Sequence, residues 1–595
     1  MEKLNDVIAK QVAIAIETLY GAVVPTENIS VDVTNPAHPG DYTVVVFPFL
    51  KVSKKSPEAT ATEIGEKLIA NADIFASFNV IKGFLNLEIA SEYFCKALEQ
   101  TLLLPDYGFV KPLSGEKIVV EYSSPNTNKP LHLGHIRNNL LGHSVSEILK
   151  ANGHRVVKVN LVNDRGIHIC KTMLAWQKWG NAETPETQNQ KGDHFVGYYY
   201  VHFEKNLKRE MDELMAQGMT EEQARDNSRL MQQAREMLRK WEDRDQETIK
   251  LWRQMNAWVY EGFEQTYQEL GISFDKTYYE SETWMPGKKI VLEGLKNGVF
   301  VQKEDGSVWV DLSDQGQDEK ILLRADGTSV YITQDLGSAE MRMNDFEADS
   351  MVYVVGSEQD YHFDVLKKTL KKAGREWADR IYHLSYGMVE LPEGKMKSRE
   401  GKVVDADDLV TEMVTTAGEI TKELGKAADL SHKEAEELFK TIGIGALKYF
   451  LLKVDPKKKI LFNPQESIDF NGNTGPFIQY THARIQSVLR NAKLSQLEWQ
   501  DYQAAPLSED EKSLLKLIFH FPAVVKAAGE GRNPGLIANF TYDLAKQYNQ
   551  FYHTHSILSA ETENSKKIRL ALSLQTANIL RKGMKLLGAE VPMKM

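Results

Sequence analysis

The sequence predicts an α/β chain: a strand–helix–strand nucleotide domain with insertions, between a small N-terminal α/β domain and an all-helical C-terminal region. Three observations predict it. Lys117–Tyr122 (KIVVEY) is a short β-branched run of the kind that forms a buried parallel strand. From about His132 to Asn152, apolar residues recur at helical spacing without a proline, until Asn152-Gly153 stops the pattern. His154–Leu161 then reads as a second strand. A right-handed crossover between two such strands places a ligand at their carboxyl ends.

Taken in order, residues 1–110 read as the small domain. It opens on an amphipathic helix, followed by the apolar run Val44–Leu50, the helix-like Ala59–Ala72 and the strand-like Phe78–Ile89. Gly83-Phe84-Leu85-Asn86 offers an aromatic and an amide, which stacking on and reading an unpaired base require. The same four residues also suit a plain turn into a core strand. The nucleotide domain takes residues 111–404, with insertions at about 185–245 and 281–327. Glu204–Trp258 is charged and helix-patterned, as a solvated helical hairpin would be, and Trp309–Leu323 is strand-rich. Pattern returns at Val330. Tyr331 and Asp335 are four apart and share a helix face, and Met351–Val355 reads as a buried strand leading to Gly356-Ser357-Glu358-Gln359. Residues 405–595 show apolar residues at helical spacing throughout, with Tyr480 and Arg484 among aromatics and bases that suit either a core stripe or stacking on nucleotides.

The whole chain narrows the class. At 595 residues, 42% hydrophobic and 26% charged, it is a globular protein of two to four domains. No apolar run reaches membrane-spanning length, and the acidic residues in the first helix argue against a signal peptide. Two cysteines, Cys95 and Cys170, exclude a disulfide framework or a zinc cluster of Cys pairs and fit a reducing cytoplasm. A net charge of −11 argues mildly against a nucleic-acid partner, yet Ser565–Met595, Leu366–Arg375 and Pro456–Lys459 are local basic clusters. Neither a P-loop nor a dinucleotide-binding glycine fingerprint follows a strand.

The chemistry concentrates in Ser123–Gly142, SSPNTNKPLHLGHIRNNLLG. Unpaired N–H groups and the dipole at the start of its helix favour phosphate. His132 and His135 lie on one face and can reach one anion, with Gly134 between them leaving room for close approach. A solvated surface pair would look similar. What separates the readings is a second element, Gly394–Gly401 (GKMKSREG), a glycine-bounded loop whose Lys395, Lys397 and Arg399 suit a triphosphate.

His132-Leu133-Gly134-His135 resembles the HIGH signature of class I aminoacyl-tRNA synthetases, and Lys395-Met396-Lys397-Ser398-Arg399 resembles a variant of their KMSKS loop. SSPNTNKPLHLGHIRNNLLG, YITQD, YVVGSEQD, GNTGPFIQYTHARI and the ending LLGAEVPMKM together resemble the arginyl-tRNA synthetase family from the N-terminal domain to the last residue. That resemblance implies a Rossmann-like catalytic domain, an N-terminal domain reading the tRNA D-loop and a helical anticodon-binding bundle. It implies that arginine is activated by ATP with Mg²⁺, without zinc, and passed to tRNA(Arg) by a monomeric cytoplasmic enzyme whose activation step needs tRNA.

Residue by residue, it implies catalytic roles for His132, His135, Lys129 and Lys395, and ATP contacts from His132, Gly134, His135, Lys395, Met396 and Ser398. Lys129 is the lysine before the HIGH-like motif, thought to compensate where the loop lacks its second lysine; here Ser398 stands at that place. A guanidinium wants carboxylates and a flat apolar wall. The resemblance assigns that pocket to Glu121, Asn126, Tyr331, Asp335 and Gln359, and tRNA contacts to Phe84, Asn86, Tyr480 and Arg484. Three alternatives stay open at this point: another class I synthetase, a nucleotidylyltransferase, and a non-catalytic tRNA-binding paralogue.

Overall fold

The computed structural model describes residues 4–35, 37–392, 404–425, 430–492 and 504–595. Its central sheet has five parallel strands: β1 (Lys117–Glu121), β2 (Arg155–Val162), β3 (Lys276–Tyr279), β4 (Ser350–Gly356) and β5 (Ile381–Tyr386). They lie in the order β5-β4-β1-β2-β3. The order reverses at β1, so a crevice opens beyond the carboxyl ends of β1 and β4, where doubly wound sheets bind ligands. Helix α1 (Leu133–Ala151) crosses from β1 to β2, and α2 (Ile167–Trp179) follows β2. Helix α3 (Tyr331–Phe346) leads into β4, α4 (Asp360–Lys372) joins β4 to β5, and α5 (Ala406–Glu423) comes later.

Alternate residues of a strand face opposite sides, and here the two sides bury in different cores. Ile118, Val120, Val352 and Val354 join Ile136, Leu140 and Leu141 of α1 in a cluster that continues into the N-terminal domain and the C-terminal helices. Val119, Val159, Met351 and Tyr353 join Leu336, Ala339 and Met343 of α3. Close packing at each face needs small residues: a Cβ on Gly142 would fall 2.4 Å from the Tyr122 Cβ, and one on Gly287 would fall 1.7 Å from the Thr333 carbonyl oxygen of α3.

The first inserted region differs from the expected solvated hairpin. Gly192–Ala216, Glu221–Asn227, Arg229–Glu242 and Gln246–Glu269 pack together, burying Phe203, Met231, Ala234, Met255 and Val259. Each charged helix keeps one apolar stripe, and the stripes meet. The second inserted region holds the helix Glu280–Lys296 and a three-stranded antiparallel sheet of Val301–Gln302, Val308–Val310 and Lys320–Leu323.

At the N-terminus, Leu4–Tyr20 and Pro57–Asn71 accompany an antiparallel sheet ordered Val31–Val33, Tyr42–Val45, Phe84–Ile89, Phe75–Ile81. The run Val44–Leu50 leaves the sheet early: Pro48 cannot donate to a ladder, and the chain coils at Phe47–Phe49. Among the described residues of the C-terminal region, helices are joined by loops and a single short strand, Ile460–Leu461, which pairs in parallel with Val389–Glu390. The N-terminal domain docks on the helix Glu509–Gly531 through charge pairs: Lys516 lies 2.7 Å from the buried Asp41, and Lys512 lies 2.8 Å from Glu88. No helix among the described residues is long and apolar enough to cross a membrane.

Candidate active site

The turn after β1 is held in a left-handed backbone conformation at two consecutive non-glycine residues, Ser123 (φ 79°) and Ser124 (φ 48°). Such strain persists only where surroundings impose it. Asn138 Oδ1 accepts from the Ser123 N–H at 2.6 Å, Asn160 Oδ1 accepts from the Ser124 N–H at 3.0 Å, and the Ser123 hydroxyl meets Tyr267 at 2.7 Å. The chain then runs beside β2, with Asn126 bridged to Asn163, and enters α1.

His132 is the N-cap of α1. Its Nδ1 accepts the Gly134 N–H at 3.1 Å, and His135 Nδ1 accepts the His132 N–H at 3.2 Å, a capping box built from two histidines. The rings lie 3.9 Å apart. Burial, with Lys129 nearby, pushes His132 down to about 4. Burial, His132 and Lys129 push His135 well below the usual range. Both rings are therefore neutral at pH 7, and since Nδ1 accepts in each, the proton sits on Nε2. The expectation of open backbone N–H groups here is corrected. Leu133 N–H is taken by the Val404 carbonyl at 2.9 Å and Gly134 N–H by His132, leaving the imidazole Nε2–H groups as donors. Gly134 also has a local reason, because a Cβ there would fall 2.9 Å from His132 Cε1.

A cavity of roughly 610 Å³ opens beside this turn. Asn126, Lys129 and Tyr331 line it, together with Arg165, His168, Tyr200 and Glu280, which the sequence reading missed. Tyr331 is 78% exposed at the first turn of α3, free to act as a wall rather than as core. Glu280 begins a helix directly after β3, a place no sequence motif marks. Burial pushes its carboxyl up to about 7, with Arg165 opposing.

The acidic residues sit on the α3 side. Glu121 ends β1 and is buried against Arg342 of α3, whose Nη1 also donates to the Tyr353 hydroxyl at 3.1 Å. The Arg342 guanidinium stacks 5.5 Å from the ring centres of both Tyr278 and Tyr353. Burial drives the Glu121 carboxyl upward, and Arg342 opposes it. Glu121 thus has a resident partner, as a buried carboxylate requires. Asp335 lies a turn beyond Tyr331 and accepts a 2.6 Å hydrogen bond from His362 Nε2 of α4. That bond raises the imidazole pKa of His362 against the opposing effect of burial. Gln359 is exposed at the turn after β4, three residues before His362.

The loop 394–401, with Lys395, Met396, Lys397, Ser398 and Arg399, lies outside the described residues. After it, Val404 and Ala406 exchange backbone hydrogen bonds with Leu133 and Leu131, pairing Asp405 with His132.

Of the residues expected to meet tRNA, Phe84 is 40% exposed and packs edge-on against the exposed Phe47 at 5.5 Å. Asn86 is buried. The loop through Gly40 covers it, with a Cβ on Gly40 3.0 Å from the Asn86 Cβ, and its Oδ1 accepts from Thr43 at 2.7 Å. In the bundle, the Arg484 guanidinium lies 4.8 Å from the Tyr480 ring centre and 5.2 Å from that of Tyr552, and donates to Asn549 at 2.6 Å.

The model described as "tRNA synthetases class I (R), catalytic domain" matches residues 99–463, "DALR anticodon binding domain" matches 478–595, and "Arginyl tRNA synthetase N terminal domain" matches 6–89. An arginine–tRNA ligase of Bacteroides thetaiotaomicron is 57% identical over 596 residues, covering 100% of both chains. One from Porphyromonas gingivalis is 55% identical over 588 residues, 98% of each chain. The Thermus thermophilus arginyl-tRNA synthetase structure shares the fold over 100% of both chains, with a TM-score of 0.79 at 24% identity. The chain belongs to the arginyl-tRNA synthetase family of class I aminoacyl-tRNA ligases.

Proposed function

We propose that the protein joins arginine to tRNA(Arg): it activates arginine with ATP to arginyl-adenylate and pyrophosphate, then transfers the arginyl group to the 3′-terminal ribose. The observation that carries this reading is the cavity that gathers Asn126 and Lys129, from the turn leading to the His132–His135 cap, with Tyr331 of α3 and Glu280; the Glu121–Arg342 and Asp335–His362 pairs lie on the α3 side.

The attacking group is already a carboxylate, so no general base is needed. Its oxygen bonds to the α-phosphorus as the bridging P–O bond to pyrophosphate breaks, and catalysis is positioning plus charge stabilisation. His132 and His135 donate Nε2–H groups to phosphate oxygens beside Gly134, and Lys129 supplies positive charge. Lys395, with Met396 and Ser398, belongs to the loop that would hold the leaving pyrophosphate. Lys129, His132 and His135 are all donors, a set suited to phosphate oxygens and not to a bare cation; Mg²⁺ bound with the nucleotide would supply charge to shield the phosphates.

At the other end, Asp335 and Glu121 face the guanidinium, with Arg342 opposing the rise that burial imposes on the Glu121 carboxyl. Tyr331 is the wall, and Asn126, Gln359 and Glu280 hold the α-ammonium and carboxylate. Phe84, Tyr480 and Arg484 offer tRNA stacking surfaces, and Phe47 extends the first of them. Asn86 supports that surface from beneath instead of touching a base.

The test is ATP–pyrophosphate exchange with arginine, with and without total tRNA. Exchange only with both present supports the reading and tRNA-dependent activation together. Exchange with glutamate or glutamine in place of arginine would move the specificity argument to other residues. No exchange under any condition would leave a tRNA-binding protein.

A further inference from the structure

A charged cluster that no step above uses lies between the inserted helices and α5. Lys191, at the start of Gly192–Ala216, places Nζ 2.6 Å from Asp407 and 3.3 Å from the buried Asp193, and donates to Thr266 at 2.5 Å. His194 Nε2 lies 3.0 Å from Asp407 and 3.5 Å from Asp405. Thr266, on Gln246–Glu269, donates to the other oxygen of Asp407 at 2.8 Å. The helices touch closely enough that a Cβ on Gly262 would fall 2.4 Å from the Asp193 carboxylate. Asp193, His194 and Asp407 are near enough to share a cation. The Lys191 ammonium already sits between the two carboxylates, so the cluster is a salt-bridge network. Burial would raise the Asp407 carboxyl, yet the bonds from His194 and Lys191 hold it well below its usual range.

The position of this network gives it a consequence. Asp405 caps α5 by accepting the N–H groups of Asp407 and Asp408 at 2.9 and 3.2 Å. Its own backbone is bridged to His132, through Val404 to Leu133 at 2.9 Å and Ala406 to Leu131 at 3.0 Å. Asp407 is thus two residues along the chain from the backbone bridge that holds the N-cap of α1. We propose that Lys191, His194 and Asp407 are positioning residues for the nucleotide site: by fixing Val404–Ala406 they fix the backbone of Leu131–Leu133 and the ring of His132. This rests on His132 being an ATP contact. It also explains why two inserted helices, neither carrying a nucleotide motif, converge on the start of α5. Without Lys191 and His194, the carboxylates of Asp193, Asp405 and Asp407 would repel one another at that point.

The experiment is ATP–pyrophosphate exchange on the full-length protein, with ATP and arginine titrated separately and active sites counted. Asp407→Asn is expected to raise the KM for ATP about tenfold while the KM for arginine stays within about twofold, because a displaced backbone misplaces only the nucleotide contacts. Asp407→Glu, which keeps the charge, should restore most of that loss. His194→Gln should shift the same constant in the same direction by about threefold, and it carries the test alone if Asp407→Asn does not fold. Unchanged ATP constants per active site, or ATP and arginine constants rising together, would overturn the inference and leave a merely structural network. If the unaltered protein shows no exchange, the functional reading falls, and this one with it.

Discussion

On the α1 face of the central sheet, His132 and His135 are half-buried beside Lys129, stay neutral and offer Nε2–H donors. On the α3 face, Glu121 and Asp335 sit in the fold paired with Arg342 and His362. One residue separates the two regimes in β1: Val120 buries with α1 and Glu121 pairs with α3. The difference teaches how one crevice holds opposite ligands. In the proposed reading a polyanion meets imidazole donors that carry no charge to desolvate, with Lys129 beside them. In the same reading a guanidinium meets carboxylates that already have partners: burial drives the Glu121 carboxyl upward and Arg342 opposes it, and Asp335 accepts from His362.

The sharpest way to break this contrast is Arg342→Met. Glu121 would be left as an unpaired buried carboxylate, and the expected cost is about 3–5 kcal/mol, read as a fall in Tm. Adding Glu121→Gln should recover much of it; an unchanged Tm in the single variant would mean that Arg342 does not compensate Glu121.

His135→Ala comes next. It should lower arginine activation roughly 10²-fold, about 3 kcal/mol, with the effect on ATP and not on arginine binding. His135→Asn, which keeps an N–H donor, should retain more activity than alanine. If both variants matched the unaltered protein, His135 would leave the mechanism. The depressed pKa values also fix a sign. These rings are neutral in the folded protein down to about 4 for His132, so ATP binding should show no histidine titration between pH 6 and 8.

The arginine end should titrate in that window. Glu280 has its carboxyl raised to about 7, so it is protonated below and ionised above. Only the ionised form attracts an α-ammonium, and the KM for arginine should fall about tenfold from pH 6 to pH 8. Glu280→Gln should flatten that profile, and a profile unchanged by the substitution would remove Glu280 from the pocket.

The smallest effect is expected at His362. Its pKa is raised by Asp335, so its charge is present at low pH and lost as pH rises through the folded value. While charged it competes with the substrate guanidinium for Asp335. His362→Gln should lower the KM for arginine at pH 6 by about twofold, and the effect should shrink as pH rises through the folded value.

Much of this was legible from the chain alone. The β-branched run at Lys117–Tyr122 and the proline-free pattern to Asn152 suffice for strand and helix, because each is a local pattern of fixed period, while the two histidines three apart become a candidate site only together with Gly394–Gly401 and the family resemblance. Local pattern could not say which strand face each residue takes. KIVVEY reads as uniformly buried, and only the sheet order sends Val120 to α1 and Glu121 to α3. Nor could it find Arg342, His362 or Glu280. Each is an ordinary charged residue until a contact tens to hundreds of residues away gives it a partner or removes its water. Asn86 shows the reverse case, an amide whose spacing suits base reading until the loop through Gly40 covers it. Periodicity and motif are properties of neighbours in the chain. Charge compensation and desolvation are properties of neighbours in space, and only the packed tertiary structure decides those.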